Sequence, residues 1–229
     1  MALYLSIDTG GTHTDIVLID QDGHHVWTAK TPTTPGNLQQ GVITGIHKVL
    51  DDSGRELSQV TRFVYGTTLV TNLIIEQAEM PVGLITTKNF RDILEMGRAY
   101  RNENIYDLSW HPPSPLVKRH SRLGVPERVD AQGRIIEALD EDETIKALDD
   151  LAEQGIESVA VCLLNAYVNP IHEQRIKVLA GEHHPQISIS LSSDIIREFR
   201  EFERTSTTVV NAYVMLPLHE HLMSLEKSL

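Results

Sequence analysis

"SIDTGGTHTDIVLID", residues 6–20, joins two apolar alternations through a small, hydroxyl-rich turn. A plain two-residue hairpin turn is commonly Asn-Gly or Asp-Gly and has no use for a strand-end acid or a row of threonines. Here Asp8 precedes Gly10 and Gly11, and Thr9, Thr12 and Thr14 surround them. The two glycines permit positive φ and let a ligand approach the backbone with no Cβ in the way. Successive amides in such a turn form a concave anion site. Thr12 and Thr14 add hydroxyls, and Asp8 can hold Mg²⁺ through water, as hard cations prefer. The alternative for the turn alone is a glycine-rich hairpin with no ligand.

Working outward, "LYLSID" (3–8), "TDIVLID" (14–20) and "QDGHHVW" (21–27) read as three consecutive antiparallel strands, the second turn lying at Asp22-Gly23. Residues 33–54 then predict a helix, with Thr34 as N-cap, Pro35 at the first helical position and Gly54 as the stop. Its apolar residues Leu38, Val42, Ile46, Val49 and Leu50 fall on one face. "VTRFVYG" (60–66) reads as a strand, "TLVTNLIIEQ" (68–77) as a short helix and "MPVGLIT" (80–86) as a further strand. This α/β order predicts one mixed sheet, with three antiparallel strands first and helical crossovers after. By analogy of fold it is the ribonuclease-H-like core of actin-like ATPases.

Between about residues 95 and 134 no period persists, and an irregular insertion is expected there. Regularity returns as a helix at 141–155, a buried strand at 156–164, a helix at 169–184 and a strand at 186–192. The segment 198–229 is predicted helical on both sides of Pro217. The expected organisation is a domain over 1–200 and a helical connector over 201–229, leading to a second domain outside this chain. With that domain absent, Val209, Val210, Tyr213, Val214, Leu216 and Leu222 are expected to lie bare and to drive homo-oligomer formation.

The net charge of −12 argues against nucleic acid or an anionic membrane as a partner, because both require a basic face. No apolar run approaches the ~20 residues of a membrane span. The chain enters a strand within a few residues of Met1, which leaves no room for a signal peptide. The single cysteine, Cys162, cannot close an internal disulfide and is expected to be a small buried hydrophobe. These features predict a cytoplasmic protein.

Three further groups invite a functional reading. Thr67, Thr68, Thr71 and Asn72 sit at a strand-to-helix junction, where they either cap the helix or face an anion. Arg91, Arg98 and Arg101 either present charge to a phosphate or carboxylate, or form surface ion pairs with neighbours such as Asp92 and Glu95. Glu203, Arg204, Thr205, Ser206, Thr207 and Asn211 form a polar stripe, read as an interdomain contact with cleft lining as the alternative. The eleven histidines carry no HExxH spacing and are read as solvated.

"DTGGTHTDIVLID", "GTTLVTNLIIEQ", "GLITTKNFRDILEMGR", "LNAYVNPIHE" and "REFERTSTTVVNAYV" occur in that order, from Asp8 to Tyr213. Together they closely resemble the N-terminal region of the hydantoinase A/5-oxoprolinase family, whose relatives include subunits of ATP-dependent ketone carboxylases. The resemblance implies an actin-like ATPase domain that uses ATP and Mg²⁺ to open a small cyclic amide substrate, such as a hydantoin or 5-oxoproline. It also implies dependence on a second domain or partner subunit. In this chemistry ATP phosphorylates the amide oxygen, and catalysis is largely positioning and charge stabilisation. Carried onto this chain, the catalytic set is Asp8, Thr67, Thr68 and Asn72, and the nucleotide set is Gly10, Gly11, Thr12, Thr14 and Arg98, with Asp8 also at the metal. One residue departs from the pattern: Tyr65 stands where the family commonly has histidine. A naturally short, non-catalytic nucleotide-binding or assembly subunit is the alternative.

Overall fold

The structure is a computed structural model that describes residues 2–22, 24–34, 37–76, 80–98, 109 and 113–229. The chain divides into two compact units, Met1–Ala78 with Pro217–Leu229, and Glu79–Leu216. The seams therefore differ from the expected boundary near residue 200.

The first unit is built on β1 (Leu3–Thr9), β2 (His13–Asp20) and β3 (Val26–Pro32), paired antiparallel as the alternation predicts. Helix α1 (Leu38–Ser53) crosses over to β4 (Val60–Thr67), which lies parallel to β1 and gives the order β3-β2-β1-β4. Helix α2 (Leu69–Glu76) follows directly. Leu3, Leu5 and Ile7 share one sheet face with Ile16, Leu18 and Ala29, and α1 covers that face with Val42, Ile46, Val49 and Leu50. The expected N-cap of α1 is corrected: Asn37, not Thr34, accepts from the Gln40 amide, and Pro35 lies outside the described residues, as does Gly23. Gly54 ends the helix in the left-handed region, as predicted.

α1 sits close enough to the sheet to require glycine. A Cβ on Gly45 would stand 2.1 Å from Ile16 Cδ1, and one on Gly41 would stand 2.9 Å from the Pro32 carbonyl oxygen. Gly45→Ala gains up to about 1 kcal/mol of helix propensity. Against it, Ile16 is fully buried and has no room to give. Overpacking of about 1–3 kcal/mol should win, so urea unfolding is expected to show net destabilisation. An unchanged or raised midpoint would mean that the helix slides without cost.

The second unit does not extend the first sheet, which corrects the single-sheet expectation. β5 (Val82–Thr87) pairs parallel with β9 (Ser158–Cys162) and with β6 (Arg122–Val125), and β10 (Ser188–Leu191) completes an all-parallel order β10-β9-β5-β6. Burial explains the division. Every residue of β5 and β9 is buried, as befits central strands of a parallel sheet. β4, with Val64 52% exposed, is an edge strand of its own sheet. A short α3 (Ile93–Met96) follows β5. Within the expected irregular insertion lie β6 and the small antiparallel pair β7 (Arg128–Val129) and β8 (Ile135–Glu137); residues 99–108 and 110–112 of it lie outside the described residues.

Helices α4 (Glu141–Glu153), α5 (Ile171–His183) and the long α7 (Glu201–Ser228) fall where the periodicity put helix, and the short α6 (Ser192–Ile195) lies where none was expected. α4 and α5 fill the core with Leu148, Leu151, Ile176 and Leu179. α7 continues through Pro217, whose missing N–H weakens the helical ladder at the seam between the units.

The expectation of a bare apolar end is corrected in part. Val209, Tyr213 and Val214 are buried, as is Leu225, which fills the core of the first unit, whereas Val210 and Leu216 are half-buried and Leu222 is exposed. Part of the polar stripe is likewise internal, while Thr207 is exposed. Arg204 is 1% exposed and donates to the Leu163 carbonyl and to Ser192 Oγ, and Thr205 Oγ1 lies 3.1 Å from Cys162 Sγ. Cys162 is buried as expected, and burial pushes its thiol up.

Candidate functional site

The turn that opens the sequence forms one wall of a cleft of about 790 Å³ in the first unit. Its structure is simpler than the sequence suggested, since neither Gly10 nor Gly11 has positive φ. The Gly10 amide closes the turn on the His13 carbonyl (2.9 Å), and the Thr33 amide bonds the Thr12 carbonyl (2.9 Å). The amides of Gly11 and Thr12 have no protein acceptor among the described residues. A Cβ on Gly11 would meet only Asn72 Nδ2, at 3.5 Å. Glycine at this position keeps space rather than supplying an unusual backbone angle.

Thr14 does not reach the cleft. It is fully buried and lies 3.3 Å from Thr33 Oγ1, which in turn donates to the Gly10 carbonyl at 2.9 Å. Its hydroxyl therefore braces the turn from behind. Thr12 is exposed beside the turn, with its hydroxyl 3.2 Å from His13 Nδ1, and is not part of the lining. Asp8 is exposed one strand residue before Thr9, with Oδ1 3.4 Å from where a Gly66 Cβ would stand. It lies beside the cleft and not in its wall.

The junction of β4 and α2 supplies the second wall. Parallel pairing sets Thr67 beside Thr9, and the Thr68 amide bonds the Thr9 carbonyl at 3.0 Å. Thr67 Oγ1 accepts from the Leu69 amide, which is the capping role weighed for it. Thr67, Thr68 and Asn72 all line the cleft, and Asn72 Nδ2 reaches Thr68 Oγ1 at 3.5 Å. Thr9 also lines it, and its buried Oγ1 has no hydrogen-bond partner among the described residues.

The start of α1 contributes Asn37, Leu38 and Gln39, so the N-terminal ends of two helices open on one cleft. Both carry orphan amides and the positive end of a helix dipole, and neither has an acid in its first turn. Among the described residues the lining contains two carboxylates, Glu76 and Glu220, and no lysine or arginine. An anion held here would rely on amides, hydroxyls and an accompanying cation.

Sequence reasoning missed Thr33, Asn37 and the α7 face formed by Pro217, Glu220, His221 and Ser224. His221 corrects the reading of the histidines as solvated, being 8% exposed, and so does His172, which is buried against Glu127. Among the described residues no group of three or more metal-binding side chains occurs.

The arginines fall elsewhere, in the second unit. Arg98 pairs with Glu203, Asp92 with Arg119 at 2.9 Å and Glu95 with Arg122 at 3.2 Å, so this motif reads as ion pairs. The Arg119 guanidinium holds the Asp92 carboxyl below its usual range. Arg101 lies outside the described residues.

Residues 4–184 match the model of the hydantoinase/oxoprolinase N-terminal region. The caprolactamase alpha subunit of Pseudomonas jessenii is 33% identical over 215 residues, which are 92% of this chain and 31% of the relative. The solved ATP-dependent caprolactamase of that organism superposes with a TM-score of 0.85, at 33% identity, over 98% of this chain and 34% of that one. A nucleotide-free acetone carboxylase structure gives a TM-score of 0.83 at 30% identity, over 98% and 34% of the two chains. The chain spans about a third of the length of these relatives. It belongs to the hydantoinase/oxoprolinase N-terminal region family.

Proposed function

We propose that the chain is the phosphate-binding part of an ATP-dependent enzyme that activates the carbonyl of a cyclic amide, working with a further domain or a partner subunit. One observation carries this reading: the Gly10-Gly11 turn and the Thr67-Thr68 junction converge on one cleft where two helices begin. Such a cradle suits phosphate oxygens, which accept from amides and hydroxyls. The names of the relatives support ATP dependence and subunit organisation, one being an amide hydrolase and another a carboxylase. No helix among the described residues is long and apolar enough to cross a membrane.

The lining fits a nucleotide that brings its own cation. With Glu76 and Glu220 present and no lysine or arginine among the described lining residues, a triphosphate entering alone would meet net repulsion. Mg²⁺ supplies the missing positive charge and keeps most of its waters, so Asp8 can hold it from beside the cleft. In this reading Gly11 admits the phosphate, and Thr67, Thr68 and Asn72 orient it. The first sheet corresponds to the phosphate-1 side of an actin-like ATPase, and α7 leads towards the remaining domain.

The test is ATP turnover by the intact protein against a panel of hydantoins, lactams, 5-oxoproline and simple ketones. Stimulation by a cyclic amide is expected. Asp8→Asn should retain the circular dichroism spectrum and lose turnover by about 100-fold, because a carboxylate that anchors the metal cannot be replaced by an amide. Turnover equal to wild type in that variant would remove Asp8 from the metal.

A further inference from the structure

His221 is the one imidazole among the described residues that line the cleft. It is 8% exposed, and burial pushes its ring below the usual histidine range, so it is uncharged near neutral pH. Tyr65 Oη lies 2.6 Å from its Nε2, and the two rings pack with centroids 5.6 Å apart. Nδ1 has no protein partner among the described residues. Leu225, one helical turn further on, is fixed in the apolar core and holds this face of α7 in register. The result is a neutral imidazole with one nitrogen clamped by a phenol and the other unused, in the wall of a site lined by phosphate-type donors.

We propose that His221 is the proton acceptor of this cleft and that Tyr65 is the positioning residue that holds its ring. The inference rests on the phosphate-site reading above and adds the group that prepares the phosphoryl acceptor. With Nε2–H donating to Tyr65 Oη, the Nδ1 lone pair takes the N–H proton of a cyclic amide. The N–H bonding pair becomes the C=N bond, and the carbonyl π pair forms the new bond from oxygen to the γ-phosphorus. The bond from that phosphorus to the bridging oxygen breaks, and its pair leaves on the diphosphate. The imidazolium then returns its proton to solvent. Tyr65 makes this step favourable without being charged, because its oxygen accepts from Nε2–H more strongly once the ring is cationic.

The experiment compares wild type, His221→Gln, His221→Ala and Tyr65→Phe in the intact protein, by steady-state turnover with a stimulating cyclic amide and by titration with a non-hydrolysable ATP analogue. Glutamine can keep a polar contact to Tyr65 but cannot take a proton near neutral pH. His221→Gln should lower kcat by about 100-fold, within the usual span for a general base, with the analogue Kd within about threefold of wild type. Free imidazole should restore at least about tenfold to folded His221→Ala, which a packing role would not allow. Tyr65→Phe should lower kcat by about tenfold with little change in Kd. Wild-type-like turnover in His221→Gln, or a loss in folded His221→Ala that imidazole leaves untouched, overturns the proposal. If the analogue fails to bind wild type, the phosphate-site reading itself falls, and the titration shows this separately from the rescue.

Discussion

Gly11→Val is expected to weaken Mg²⁺-ATP binding by at least about 30-fold, close to 2 kcal/mol, while leaving the melting temperature almost unchanged. The separation follows from the geometry of the turn. Gly11 is exposed and its φ is not positive, so a side chain brings no backbone strain. Within the protein a Cβ would touch only Asn72 Nδ2, at ordinary contact distance. The added methyls instead occupy the space between the turn and α2, where a phosphate would meet the Gly11 and Thr12 amides. Calorimetric titration of the intact protein, paired with a thermal melt, checks both halves. Unchanged affinity in a folded variant would reduce the turn to a hairpin.

The largest stability effect is expected in the other unit, at Glu173. Its carboxylate is fully buried and accepts from the Leu163 amide (3.0 Å), the Ser193 amide (2.9 Å) and Ser192 Oγ (2.6 Å). Ser192 Oγ also accepts from Arg204, whose guanidinium lies over the Tyr167 ring at 5.6 Å. Glu173→Ala would strand two buried amides and remove the acceptor of the Ser192 hydroxyl that links the carboxylate to buried Arg204. Removing one side of such a buried arrangement costs about 3–5 kcal/mol, a large part of the stability of a small domain. Urea unfolding should show that loss, with Glu173→Gln in between because it keeps an acceptor but not the charge. A loss below about 1 kcal/mol would mean that water replaces the carboxylate.

The strands and helices with strong periods were readable, and so was the composition of the site, but the direction of its side chains was not. Thr14 and Thr68 look alike beside a glycine turn and a strand end. Parity could have separated them: Thr14 is in phase with Ile16 and Leu18 and so points inward, while Asp8 is out of phase with Leu5 and Ile7 and points outward. Arg204 sits eight residues before fully buried Ala212, on the inner face of α7, but an arginine there reads as surface until its partners are seen. β6 escaped because it is four residues long and contains an arginine and a glycine. His221 could be placed inward only by its spacing of four from Leu225, and no local signal tied it to Tyr65, 156 residues away. The single-sheet expectation failed because sequence order shows which strands exist and not which edges they share.

The first unit is assembled from two distant stretches of the chain, and Leu225 and His221 belong to it as fully as Leu5 and Ile7 do. This matters for the order of events during synthesis. Residues 1–78 leave the ribosome well before Leu225, so their apolar core lacks that side chain until the whole of the segment 79–216 has been made. Bringing such distant partners together is slow because loop closure precedes any gain from contact. The nascent first unit must therefore persist with part of its core open, while the second unit, continuous in sequence, can fold without waiting. The cleft acquires its imidazole at the last stage, so an unfinished chain could hold the glycine turn without yet carrying the proton acceptor proposed for it.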